Sequence, residues 1–186
     1  MISYVLARMA QHIVLLRAIN LAGRNRVAMP ALRDVLTGAG FSDVRTYLQS
    51  GNVVLSRSAK ADDVVDEVRR LIAKEFGLEL AVVVRTRSQL AKVVESNPLK
   101  KVATNPKRYQ VSFLAEKPSR DVIRRVEEAA TPPEQVVAIG REIYAWHPET
   151  IARSRLWTLL AGQRLGITAT ARNWTTVTKL LALAGE

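Results

Sequence analysis

His12-Ile13-Val14-Leu15-Leu16-Arg17-Ala18-Ile19 is an apolar run after its opening histidine, broken only by Arg17. Val14, Leu16 and Ala18 share one face of an extended chain. Ile13, Leu15 and Ile19 share the other. A strand apolar on both faces belongs at the centre of a sheet, so residues 12–19 are read as a buried central strand. The elements on either side follow from it. Residues 20–26 form a polar loop with Gly23. Pro30 then sits at a helix start, where its missing N–H is harmless. Leu32, Val35, Leu36 and Ala39 make a helical stripe, which Gly40 ends. Residues 44–48 and 52–55 are short strands around Gln49-Ser50-Gly51-Asn52. Asp62 is expected to cap a second helix, striped by Val65, Val68, Leu71, Ile72 and Phe76. Residues 80–84 are another two-faced strand. The order β-α-β-β-α-β is that of a split βαβ unit, the ferredoxin-like sandwich.

The second half reads as a looser copy. Residues 88–95 are a short helix, followed by a basic connection over 97–107. A strand spans 109–114, and Ser119 caps a helix carrying Val122, Ile123 and Val126. Residues 135–139 and 142–146 form a hairpin around Gly140-Arg141. Helices over 154–161 and 173–184 end the chain. The resemblance between the halves is one of element order, with no residue-level repetition. The expected organisation is a loose extension over 1–11, a ferredoxin-like βαββαβ unit over 12–86, and a second α+β unit over 87–186 packed on the first. The fold class is α+β.

Twenty-eight Lys and Arg oppose 17 Asp and Glu, a formal net charge of +11 in 186 residues. No acidic residue occurs between Thr150 and Gly185. Such a surface attracts polyanions, although net charge also serves solubility. The absence of cysteine rules out disulfides, thiolate metal sites and a cysteine nucleophile. With two histidines, His12 and His147, no His-rich metal cluster is available. The longest uncharged stretch is 46–56, well short of the roughly 18 apolar residues of a membrane span. No export signal is read at the start of the chain, and the expected location is the cytoplasm.

Strand order places the polar segments. In an antiparallel βαββαβ sandwich the first and third strands are neighbours. The loop after the first and the turn before the third then meet at one edge. Asn20-Leu21-Ala22-Gly23-Arg24-Asn25-Arg26 precedes a helix, an arrangement suited to phosphate or carboxylate. No P-loop or dinucleotide fingerprint is present. Gln49-Ser50-Gly51-Asn52 is polar between two apolar strands, and it also reads as ordinary turn chemistry. Thr170-Ala171-Arg172-Asn173-Trp174-Thr175-Thr176 is expected to open the last helix, with Thr170 or Asn173 as its cap. Arg172 opposes the helix dipole there and calls for an anionic neighbour. Trp174 falls on the apolar stripe.

These blocks resemble a bacterial family known as domain of unknown function 1697. The residues are Leu15-Leu16-Arg17-Ala18-Ile19-Asn20-Leu21-Ala22-Gly23-Arg24-Asn25 with Met29 and Leu32, then Thr46-Tyr47-Leu48-Gln49-Ser50-Gly51-Asn52-Val53-Val54, then Thr170-Ala171-Arg172-Asn173-Trp174-Thr175-Thr176-Val177. The family's first block is similar to R-G-I-N-V-G-G-K-N. Here Ala18 and Ala22 stand in place of glycines and Arg24 in place of lysine. The resemblance implies an α+β, ferredoxin-like fold and supplies no reaction or cofactor.

The donors Arg17, Asn20, Arg24, Asn25, Gln49, Ser50, Asn52, Arg172, Asn173 and Thr176, with Gly23 and Gly51, are the candidate ligand-binding set. They suit anions and amides. No catalytic residue is assigned, and no metal is expected. Asp34 and Asp43 read as solvated, and Ser50 lacks a local base. The leading expectation is a protein binding a phosphorylated or carboxylated small molecule. A basic nucleic-acid-binding module is the second reading, although its central strands lack the stacking aromatics of RNA-recognition sheets. A protein-interaction role as a homodimer is the third.

Overall fold

A computed structural model describes residues 9–21, 23–161 and 163–186. The expectation for residues 1–8 of the extension, and that for Ala22, fall outside the described residues. The chain divides into two compact units. One runs up to Ser88 and includes Leu183–Glu186; the other is Gln89–Ala182.

The first unit is built from β1 (Ala10–Leu16), α1 (Met29–Gly38), β2 (Ser42–Tyr47), β3 (Asn52–Arg57), α2 (Ala61–Phe76) and β4 (Val82–Thr86). The sheet order is β2-β3-β1-β4, and every pairing is antiparallel. Two-faced β1 is central as its composition requires, with Val14 opposite Val53 on one side and Val84 on the other. Val14, Leu16, Val53, Leu55, Val82 and Val84 meet Leu32 and Leu36 of α1 and Val64, Val68 and Ile72 of α2. On the opposite face Ile13, Leu15, Val54, Val83 and Arg85 are buried too.

Several boundaries differ from the sequence expectation for physical reasons. β1 takes in Ala10 and Gln11, ahead of the expected start at His12. It stops at Leu16 instead of Ile19, because Ala18 and Asn20 turn into the left-handed region at φ 53° and 54°. Ile19 still joins the core, from the loop. Asp62 is not the cap of α2. The helix begins at Ala61 after Lys60, which makes no side-chain capping bond. Asp62 and Asp63 instead lie in the first turn, where the positive end of the helix dipole favours carboxylates.

In the second unit, α3 (Arg87–Ser96) leads to β5 (Tyr109–Leu114), α4 (Arg120–Ala129), β6 (Gln135–Ile139), β7 (Glu142–Trp146), α5 (Arg155–Ala161), a 3-10 turn (Gln163–Leu165), β8 (Ala169–Asn173) and α6 (Trp174–Leu183). The order β6-β7-β5-β8 repeats that of the first sheet, strand for strand. β8 corrects the expectation that Thr170 to Arg172 lead directly into a helix. It pairs with β5 from Leu114↔Ala169 to Gln110↔Asn173. The second half is therefore a complete βαββαβ unit. Leu114, Ile143, Ala145 and Ala169 form its core with Val126 of α4 and Leu156 and Leu160 of α5. On the other face Tyr144 donates to the Val93 carbonyl of α3 at 3.1 Å, and Tyr109 to Asn97 Oδ1 at 2.9 Å. No helix among the described residues is long and apolar enough to cross a membrane.

Candidate functional site

The two polar segments of the first unit meet at one edge of its sheet. β1 and β3 are paired, and Leu15 lies opposite Asn52. One rung further, Leu16 N–H donates to the Gly51 carbonyl at 2.8 Å. Asn20 ties the two segments. Its Nδ2 donates to the Gln49 carbonyl at 2.8 Å and to the Val27 carbonyl at 2.9 Å, while its Oδ1 accepts from Val27 N–H at 2.9 Å. The loop is braced again by Asn25, whose Nδ2 donates to the Ala18 carbonyl at 3.0 Å and whose own carbonyl accepts from Asn20 N–H at 3.1 Å. A tight turn closes it, Arg24 N–H donating to the Leu21 carbonyl at 2.9 Å across Gly23 at φ 79°.

Asn52 is fully buried. Its Nδ2 donates to the Tyr47 carbonyl at 3.0 Å and to Ser50 Oγ at 2.9 Å. Gly51 is required by space as well as by its φ of 74°. A Cβ there would lie 2.7 Å from Leu16 Cβ and 3.0 Å from the Ile19 side chain. Arg17 anchors the start of the loop, its N–H donating to the Ala81 carbonyl at 3.0 Å.

Much of the amide chemistry read as ligand-binding is thus spent on holding the loops in place. What faces outward is a shallow recess of about 330 Å³, lined by Asn20, Gly23, Arg26, Val27, Ala28 and Gln49. Arg24 and Arg26 are exposed beside it, and neither side chain makes a hydrogen bond or ion pair among the described residues.

Arg172, Asn173 and Thr176 belong to the second unit. Arg172 lies in β8, 9% exposed, and donates to Thr170 Oγ1 at 2.7 Å and to the Ala171 carbonyl at 2.8 Å. Burial pulls its guanidinium down to about 10. Its setting is a strand, so the helix-dipole argument for an anionic neighbour lapses. Asn173 is the cap of α6, its Oδ1 accepting from Thr176 N–H at 2.9 Å. Trp174 stacks on Tyr109, with ring centroids 4.8 Å apart.

One constellation carried no sequence signal. His147 Nδ1 and Glu134 Oε1 are 2.7 Å apart, and the histidine is fully buried. Hydrogen bonds from Ser154, Thr131 N–H and His147 outweigh burial and hold the Glu134 carboxyl below its ordinary value. The Ser154 hydroxyl also accepts from Trp157 N–H at 2.9 Å at the start of α5. Glu134 precedes β6, His147 follows β7 and Ser154 precedes α5, and no local spacing joins the three. Among the described residues no three His, Asp or Glu side chains gather as metal ligands.

Two sheets of identical strand order, each backed by two helices, define an α+β protein made from a βαββαβ unit used twice. A family model described as a protein of unknown function, DUF1697, matches residues 9–144, and the chain belongs to that family. The conserved bacterial protein SP0830 from Streptococcus pneumoniae has a similar fold. Its TM-score is 0.78 at 23% identity, over 95% of this chain and 99% of that one. A comparison with curated proteins gives no match.

Proposed function

We propose that the protein binds a small phosphorylated or carboxylated molecule at the loop edge of its first unit. The observation that carries this reading is the Asn20 tie to Gln49. It joins two segments far apart in sequence, and both segments line one recess with Gly23 and Arg26. A backbone braced in advance needs little further ordering when an anion arrives. Arg24 and Arg26 supply exposed guanidinium groups suited to bidentate contact with phosphate or carboxylate.

The nucleic-acid reading draws less support. RNA-recognition sheets stack bases on aromatic residues of an open face. Here the face of the first sheet opposite α1 and α2 carries Ile13, Leu15, Val54 and Val83, and all are buried. A chain without cysteine suits the reducing cytoplasm, which we take as the setting.

Thermal-shift screening against phosphorylated and carboxylated metabolites, followed by calorimetry, tests the proposal. One compound is expected to bind wild type, with affinity at least about tenfold lower in Arg24→Ala and Arg26→Ala. Each removes one charge-assisted contact, worth about 1.5–3 kcal/mol. Equal affinity in all three proteins rejects the site.

A further inference from the structure

The second unit holds a concentration of charge that the loop edge does not explain. Arg125 of α4, Arg153 and Arg155 at the start of α5, and Arg164 of the 3-10 turn line one open groove of about 530 Å³. The carboxylate in that lining is Glu128, which already stands 4.0 Å from Arg124. All four arginines are exposed. The side chains of Arg153, Arg155 and Arg164 make no hydrogen bond or ion pair among the described residues. Arg125 donates to a neutral acceptor, the Arg164 carbonyl. That bond keeps two of the four positions together.

An ordinary solvated surface intersperses charges of both signs. Here four arginines face the single carboxylate of Glu128, and three of the four come from the acid-free stretch between Thr150 and Gly185. Like charges gathered around one concavity repel each other, and the arrangement is relieved when an anion bridges them. Guanidinium groups pair bidentately with phosphoryl oxygens, and several at once suit a ligand with adjacent phosphoryl groups. The groove's volume lies in the range of small-molecule sites, about 300–1,000 Å³. Its apolar lining includes Ala129 and Leu159, and no aromatic ring is among the lining residues. It therefore lacks the stacking platforms of single-strand binders.

We infer that this groove binds a compact ligand carrying two or more adjacent phosphoryl groups. It is a site separate from the loop edge and does not rest on the reading given there.

Calorimetric titration of the intact chain with sodium tripolyphosphate tests the inference. One tripolyphosphate per chain is expected to bind at the groove. Arg153→Ala and Arg155→Ala should each weaken it at least tenfold. Arg155→Lys should fall between wild type and alanine, because lysine keeps the charge and loses the fork. Lys100→Ala/Lys101→Ala, an exposed basic pair elsewhere in the unit, should leave the titration unchanged. The exposed substitutions remove no described bond, and circular dichroism checks that each variant is folded. The inference is overturned if wild type takes up no tripolyphosphate at low salt, or if the lysine pair matters as much as Arg155. It also falls if a short single-stranded oligonucleotide binds the groove and tripolyphosphate does not displace it.

Discussion

Ala18 and Gly51 occupy the same kind of backbone and meet opposite constraints. Ala18 is held at φ 53°, where a side chain costs about 1–2 kcal/mol. It stands where the family's first block resembles a glycine. Ala18→Gly is therefore expected to leave stability unchanged or raise it by up to about 1 kcal/mol, strain relief outweighing added chain entropy. Gly51→Ala should cost about 2–4 kcal/mol, from the same backbone term plus overpacking against Leu16 and Ile19. Urea denaturation of both variants measures the contrast. A Gly51→Ala protein as stable as wild type would mean that the close approach at the β1–β3 edge is relaxed in solution. The asparagines show a limit of sequence reading. Asn20, Asn25 and Asn52 stand out as polar residues beside apolar strands, and nothing in their spacing tells whether a backbone carbonyl or a ligand takes the bond.

Among the elements, legibility follows composition. β1 is visible because Ile13 to Leu16 are apolar on both faces, and it was overextended because Ile19 joins the same core from a loop. The Asn20 and Gln49 segments could be placed together because adjacency of first and third strands is a property of the topology. β8 is invisible in the same terms. Ala169-Thr170-Ala171-Arg172-Asn173 has small residues toward the helices and polar ones opposite, with no branched apolar side chain to mark it as a strand. Helix starts were read unevenly. Ser119 caps α4, its Oγ accepting from Val122 N–H at 3.3 Å, whereas α2 starts without a side-chain cap. Ser154 combines a cap with a second duty, since its hydroxyl meets Trp157 N–H and also supports Glu134. Ser154→Ala should cost about 1–2 kcal/mol and Ser119→Ala about 0.5 kcal/mol, within the range of measured caps. Denaturation midpoints that reverse this order would remove the second duty.

For the molecule as a whole, buried His12 and half-buried Glu134 contribute to the acid limb of stability. Burial lowers the pKa of His12 below 6.5, against weaker opposition from main-chain hydrogen bonds to Arg57 and Ala59. An unfolded chain takes up that proton first, so stability is full above pH 6.5 and falls as pH drops toward the folded value. Glu134 acts lower down. Its folded pKa lies below 4.5, so its contribution is present above that pH and is lost as pH falls through the folded value. Unfolding midpoints measured from pH 8 to 3 should decline in two stages. His12→Gln should flatten the first and Glu134→Gln the second. A first stage unchanged in His12→Gln would assign it to another group. The arginine groove also belongs to this scale. Arg125 lies far in sequence from Arg153, Arg155 and Arg164, so net charge alone does not locate the groove.

The shared strand order also bears on synthesis at the ribosome. In each sheet the last strand closes on the first, which must wait for it. Once Val82–Thr86 has left the exit tunnel, every strand of the first sheet is available. Nascent β5 lacks its outer neighbour until Ala169–Asn173 has been translated. Through each interval one edge of β1 or of β5 stays open to strands from other chains, so each half in turn presents an edge that chaperones would need to shield.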